Sequence, residues 1–364
     1  MFTLALAALS AAAVVADRAA ALSQLETLLA QTLSRRVAPT VNLSTITRRG
    51  HLGATYTPTV LMHVRVLIRA RARRSKSPPP PLTLLPPLPK QQGLGDAGSN
   101  PGMQSLAQSV ETAYPGAYAV AVNVANTLFS FIVPISEQID ELAAAIKADD
   151  KLRDAPLINL VGLSQGGLVI RGYAEKYGGR NGYPGVKSLV SICGVQNGVF
   201  NCPLELQIVP FLCDLFEADP YNFLFNGSLP LSFSDYFTTY WNQSLYLEGN
   251  QCLPYLNNQK PHANASAYKA AMEAIETVVL SEALQDEVVF PYQSEQFGGY
   301  AWADTKANPR TLNFTQGDSY AGDLLGLRTR AQSNPTSLVL SSFEGGHIQF
   351  SDQYWNDVII PFLK

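Results

Sequence analysis

Apolar and polar positions change period several times along this chain, and the changes mark its elements. Pro156 to Val161 is almost wholly apolar, and after a few small residues Leu168 to Ala174 can continue as a helix. A short apolar run followed by a helix suits a strand buried on both faces and its crossover. Upstream, Ile135, Ile139, Leu142 and Ile146 recur at helical spacing behind Pro134, with Glu137, Asp140, Glu141 and Lys147 outward. Proline is tolerated in a first helical turn, so a helix starts there with its stripe toward the core. Thr57 to His63, Ala117 to Val122, Ser188 to Cys193, Glu276 to Leu280 and Ser337 to Ser342 read as further strands. Met103 to Val110, Ala265 to Ile275 and Ser351 to Phe362 read as further helices. Strands alternating with helices at this spacing imply βαβ units, a mainly parallel sheet and an α/β fold.

Two stretches break the rhythm. Val64 to Gln92 holds seven basic residues (Arg65, Arg69, Arg71, Arg73, Arg74, Lys76, Lys90), seven prolines and no acid. Polyproline runs stay extended and adjacent like charges repel, so this stretch is expected to be a disordered excursion. Residues 196 to 275 are rich in proline, asparagine and aromatics, among them Phe200, Phe216, Phe233, Tyr236, Phe237, Tyr240 and Trp241. We expect a lid-like insertion over the ligand-bearing edge of the sheet. Most of its aromatic residues would pack a small core of their own, and a few would line a cavity for a greasy group. Residues 17 to 55 form an N-terminal extension with helical character from Ala19 to Leu33 and no chemistry. The main domain then spans 56 to 364.

Composition narrows the class. With 364 residues, 46% of them hydrophobic, the chain can bury one large core. Its net charge of -3 weighs against a nucleic-acid partner. Apolar runs stay short of the roughly 18 to 20 residues that cross a membrane. Residues 1 to 16, ending Val14-Val15-Ala16 before Asp17-Arg18, resemble a secretory signal peptide without its usual early positive charge. Asn42, Asn226, Asn242, Asn264 and Asn313 each open an acceptor sequence for N-glycosylation. Together these features point to a glycosylated protein of the secretory pathway. In an oxidising compartment Cys202 and Cys213, about a dozen residues apart with Pro203 and Pro210 between them, can form a local disulfide worth about 3 kcal/mol. Cys193 is expected as a small core hydrophobe. Cys252 is left open between free and paired.

The chemistry centres on Gly162-Leu163-Ser164-Gln165-Gly166, between the buried strand and its helix. In a G-x-S-x-G elbow, small neighbours let the backbone double back and hold the serine clear of the sheet edge. A serine hydroxyl needs a base, and the base needs a group that fixes its tautomer. In such folds the order is serine, acid, histidine. Of His51, His63, His262 and His347, only His347 follows the last strand on a loop that reaches the same edge as Ser164; His262 is expected at the surface. Asp286 occupies the loop after the preceding strand, with Glu287 as its neighbouring rival and Asp304, Asp318 and Asp323 as distant ones. An oxyanion would be met by two backbone N-H groups, that of Gln165 and that of Leu94 in the glycine-rich turn Gly93 to Ser99.

Beyond the elbow, the chain carries Gly194-Val195-Gln196-Asn197-Gly198-Val199-Phe200, the cysteines 202 and 213, Asp286 with Ser294-Glu295-Gln296-Phe297-Gly298, Leu325-Gly326-Leu327, and Gly346-His347-Ile348-Gln349-Phe350-Ser351 through Ile360-Pro361-Phe362-Leu363. In this order they resemble the palmitoyl-protein thioesterases of the lysosomal type. The resemblance covers roughly residues 56 to 63 and 93 to 364. It implies an α/β-hydrolase fold with helices on both faces of the sheet and no cofactor or metal. It also implies Ser164 as nucleophile, Asp286 as acid, His347 as base, and Leu94 and Gln165 as oxyanion donors. The implied substrates are S-acylated proteins or peptides, met by a monomer in the lysosome, a vacuole or outside the cell. Alternatives are a lipase or carboxylesterase acting on oxygen esters, and a non-catalytic lipid-binding protein of the same fold. The family runs from its strand through His-Gly directly into the oxyanion loop. Joining His63 to Gly93 restores that run, so residues 64 to 92 look like a retained intron.

Overall fold

The computed structural model describes residues 65–70, 101–125, 130, 133–202, 210–222, 232–303 and 305–364. Its centre is a six-stranded sheet. The strands, in chain order, are β1 (Arg65–Ala70), β2 (Tyr118–Val122), β3 (Leu157–Leu163), β4 (Gly185–Ile192), β5 (Thr277–Ala283) and β6 (Leu338–Phe343). Their spatial order is β2-β1-β3-β4-β5-β6. β3 to β6 are mutually parallel, whereas β1 runs antiparallel to both β2 and β3.

β1 corrects one expectation. It falls inside the basic stretch read as a disordered excursion, and its six residues pair with Leu163 through Ile158 on one side, while Val66 to Ala70 pair with Val122 through Tyr118 on the other. The local reason is that Val66, Leu67 and Ile68 make a short β-forming run among the arginines, which the net charge of the whole segment conceals. The strand expected at Thr57 to His63 lies outside the described residues, as do residues 71–92, 1–16 and 17–55.

The helices α1 (Pro101–Ala113), α2 (Ile135–Ala148), α3 (Gln165–Lys176), α4 (Pro210–Ala218), α5 (Gln243–Gly249) and α6 (Ala265–Ala274) fill in the alternation. The period of two along each strand divides the core. Ile158 and Leu160 of β3 and Val278 and Leu280 of β5 join a cluster with Ile139, Leu142 and Ile146 of α2. Val161 and Leu163, with Val279 and Ala283, face Met103, Leu106 and Val110 of α1 and the C-terminal Trp355, Ile359 and Leu363. Helical cover on both faces is what lets these strands be apolar at consecutive positions.

The aromatic residues of the insertion are buried as expected, but not in a core of their own. Phe216, Phe233, Tyr236, Phe237 and Tyr246 belong to the same cluster as α2 and the sheet, with the Phe216 and Phe237 rings 4.7 Å apart. Cys202 and Cys213 form a disulfide, and Cys193 and Cys252 are free and buried. The C-terminal helix is less regular than its pattern suggests. Asp352–Tyr354 is α-helical, Trp355–Ile359 a π turn and Ile360–Leu363 a 3-10 turn. Pro361 explains the change, because it has no N-H for the carbonyl of Asp357 and its ring crowds that carbonyl.

Candidate active site

Because β3 to β6 are parallel, their C-terminal ends share one edge, and the loops leaving β3, β5 and β6 meet there. Ser164 stands between β3 and α3 at φ 56° and ψ -130°, a region that costs non-glycine residues about 1–3 kcal/mol and persists only when its surroundings enforce it. The Ser164 N-H donates to the Ile192 carbonyl at 2.9 Å, and the Ser164 carbonyl accepts from the Gly167 N-H at 2.9 Å. The glycines are there for space. A Cβ at position 162 would overlap the Gly166 carbonyl, and one at 167 would overlap Ser191 Oγ and Gly194 Cα.

Ser164 Oγ lies 2.9 Å from His347 Nε2, and His347 Nδ1 lies 2.5 Å from Asp286 Oδ2. The other Asp286 oxygen accepts the N-H groups of Val288 at 2.7 Å and Val289 at 2.9 Å, which fix the carboxyl in its loop. Ser164, Asp286 and His347 are all buried. Glu287, the adjacent rival, points into solvent. Asp318 is exposed and accepts from Trp302 Nε1, Asp323 is bonded to Lys269 and Thr329, and Asp304 lies outside the described residues. His262 bonds Asn258 in the insertion, while His51 and His63 fall outside the description. The structure thus brings Ser164, Asp286 and His347 together, with Glu287, Asp318 and Asp323 outside the constellation.

Burial alone would raise the Asp286 carboxyl. The opposing charge of His347 and hydrogen bonds from His347, Glu295 and the Val289 N-H outweigh it and hold the group below its ordinary range. An ionised Asp286 accepts from His347 Nδ1-H, which leaves Nε2 with the lone pair that faces the serine proton. Cys193, just past β4 with φ 51°, comes within 4.8 Å of Asp286 and His347. Those three could in principle ligate a metal, but the histidine and aspartate are spent on each other. The Cys193 thiol is pushed well up by burial and by the nearby Asp286 charge, and a protonated thiol is a poor ligand.

Gln165 is the first residue of α3, so its backbone N-H has no carbonyl four residues back within the helix and sits at the positive end of the helix dipole. Its side chain is pinned by bonds to the Ser130 carbonyl at 3.0 Å and Gln138 Oε1 at 2.8 Å. Leu94, the other expected donor, lies outside the described residues. Asn242, Asn264 and Asn313 are exposed, and Asn42 and Asn226 are not described. Sequence reasoning gives Glu295 no role and reads Cys193 as a core hydrophobe alone, although both touch this constellation. Glu295 stood in a quoted run, yet nothing in the residue pattern separates a buried carboxyl from a surface one.

The palmitoyl protein thioesterase family model matches residues 91–347. Palmitoyl-protein thioesterase 3 of Dictyostelium discoideum is 29% identical over 266 residues, covering 72% of this chain and 87% of that protein. The lysosomal thioesterase PPT2 homolog of Drosophila melanogaster is 25% identical over 264 residues, covering 72% and 86%. Lysosomal thioesterase PPT2 of Rattus norvegicus is 25% identical over 234 residues, covering 64% and 72%. With the family model spanning most of the chain and the serine, histidine and aspartate hydrogen-bonded at one sheet edge, this protein belongs to the palmitoyl protein thioesterase family.

Proposed function

We propose that this chain hydrolyses long-chain acyl thioesters, removing palmitoyl groups from the cysteines of proteins or peptides. The observation that carries this is the continuous hydrogen-bonded chain from Ser164 Oγ through His347 to Asp286, set on a strained elbow. Ser164 Oγ attacks the thioester carbonyl as His347 Nε2 takes the hydroxyl proton. The tetrahedral oxyanion is met by the N-H groups of Gln165 and Leu94. Its collapse breaks the carbon–sulfur bond, and the departing sulfur takes the proton from His347. Water then attacks the acyl-serine, gives its proton to His347, and a second collapse returns that proton to Ser164 Oγ and frees the fatty acid. Asp286 stays ionised throughout and orients the imidazole.

The relatives named as lysosomal, the leader-like residues 1–16, the disulfide and the exposed sequon asparagines 242, 264 and 313 support a lumenal, lysosomal setting for a glycoprotein. Among the described residues no helix is long and apolar enough to cross a membrane. Residues 64–92 are absent from the mature chain in this proposal, and Thr57 to His63 then supplies the strand that leads into the oxyanion loop. Sequencing transcripts across this point tests it: a dominant form that retains the segment defeats it.

Competition between a palmitoyl-cysteine peptide and fatty oxygen esters of equal chain length tests the activity. Faster thioester turnover, lost in Ser164→Ala, is expected. Equal or faster oxygen-ester turnover would make the protein a lipase or carboxylesterase. Absence of fluorophosphonate labelling at Ser164, with and without residues 64–92, would make it a lipid-binding protein.

A further inference from the structure

Behind Asp286 lies a second carboxyl group that the triad chemistry does not require. Glu295 sits in a 3-10 turn, Tyr292–Gln296, and is fully buried. One of its oxygens, Oε2, accepts the Ala283 N-H at 3.0 Å from the end of β5. The other, Oε1, is buried and faces no N-H or hydroxyl donor among the described residues. The titratable groups around it are Asp286 in the loop after β5, Glu282 on β5 and the thiol of Cys193 after β4, with His347 beyond Asp286. No cation is among them. An ionised carboxylate here would be buried against another carboxylate with one oxygen unsatisfied, an arrangement that costs far more than keeping the proton.

We infer that Glu295 is a positioning residue for the triad, held as a neutral carboxylic acid whose O-H donates to Asp286. Glu295 and Asp286 are within hydrogen-bonding reach of each other, and two carboxyl groups can bond only when one carries the proton. Burial and the Asp286 charge both push Glu295 well up, while the same bond favours the charged form of Asp286. The proton therefore belongs to Glu295 and the charge to Asp286. The consequence concerns acid. A donor behind Asp286 keeps that carboxyl ionised further into the acidic range, so the Asp286–His347 bond that orients the imidazole survives there.

This inference rests on the triad assigned above, but its test does not need the acyl substrate. The pH dependence of Ser164 inactivation by a fluorophosphonate would be compared in wild type, Glu295→Gln and Glu295→Met. Glutamine keeps a neutral donor of the same shape, so its profile should superimpose on wild type. Methionine removes the donor, and the acid limb should move to higher pH by about one unit, the size expected for one hydrogen bond to a charged group. A glutamine profile displaced to lower pH would show that Glu295 is ionised in the native protein and would overturn the inference. So would a methionine profile that superimposes on wild type. Should Glu295→Met fail to fold, infrared difference spectra of wild type against Glu295→Gln still decide: a protonated carboxyl band lost in the variant supports the inference, and a carboxylate band overturns it. A wild-type protein that labels normally but spares palmitoyl thioesters would sink the proposed substrate and leave this inference standing.

Discussion

The two halves of the sheet hold their loops in different ways. From β3 to β6 the backbone ladder continues past the strand ends: Ser164 N-H to Ile192, Cys193 N-H to Ser281, Leu284 N-H to Phe343 and Gln285 N-H to Gly345. Ser164 and the loops that carry Asp286 and His347 are thus stitched to neighbouring segments by main-chain bonds before any side chain interacts. Among the described residues the leading half has β2 and the reversed β1, and in the sequence the proline-rich residues 71–92 separate β1 from the run expected to supply the Leu94 donor. In an enzyme, preorganised geometry is worth more than the mere presence of the right groups, so the stitched half should tolerate change outside its reacting atoms. The leading half should govern turnover through its connection.

The largest effects will come from breaking the stitched half at its reacting atoms. Ser164→Ala and His347→Ala should each lower kcat by roughly a millionfold, and Asp286→Asn by roughly ten thousandfold. Thioester hydrolysis checks the rates, and an unchanged melting temperature checks that the ladder survives. Next is the leading half. Deleting residues 64–92 should raise turnover by about a hundredfold to a thousandfold, the contribution of one oxyanion donor, as measured against the full chain at equal labelling. An unchanged rate would mean that the donor is in place despite the segment, and the two halves would then be equally preorganised.

Smaller effects fall on stability. Cys213→Ser opens the loop closed with Cys202 and should cost about 3 kcal/mol in denaturant unfolding with kcat unchanged. The mildest effect is a pH dependence. Burial lifts the carboxyls of Glu175, Asp235 and Glu282 to about 7 each, against the pull of Arg171 on Glu175 and of the Ile135 N-H on Asp235. Their folded values lie above their unfolded values near 4, so between those limits the native state binds protons that the unfolded chain has released. Stability should therefore decline as pH rises from about 4 to about 7 and level off above. Asp323, held at about 2, opposes this only below about pH 4. A melting temperature lower at pH 7.5 than at pH 5, with a reduced slope in Glu282→Gln, would bear this out.

The same division governs what the sequence discloses. The β3 and α2 periodicities, the elbow with Ser164, and His347 as the histidine after the last strand are legible along the chain. Asp286 could not be separated from Glu287 by pattern, because only the turn carried by the Val288 and Val289 N-H bonds decides which of the two points inward. β1 was hidden because an apolar run of three was averaged with charge and proline on both sides. The sharing of the insertion's aromatic residues with the main core, and the burial of Glu295, depend on contacts between distant segments that no window along the chain contains.

Arg171 shows what such distant contacts impose. From α3, two turns behind the elbow, its guanidinium bonds Gln196 Oε1 at 2.7 Å, the Leu256 carbonyl at 3.0 Å and Asn257 Oδ1 at 2.7 Å, with Glu175 Oε1 accepting at 2.8 Å. The start of the insertion at Gln196 and its later segment at Leu256 and Asn257 are therefore bolted to the helix that follows Ser164, through a buried cation whose partners would be stranded by any separation. A long acyl chain cannot gain entry by swinging this insertion away as one flap. Whatever yields to the substrate must do so between fixed hinges, leaving the elbow undisturbed.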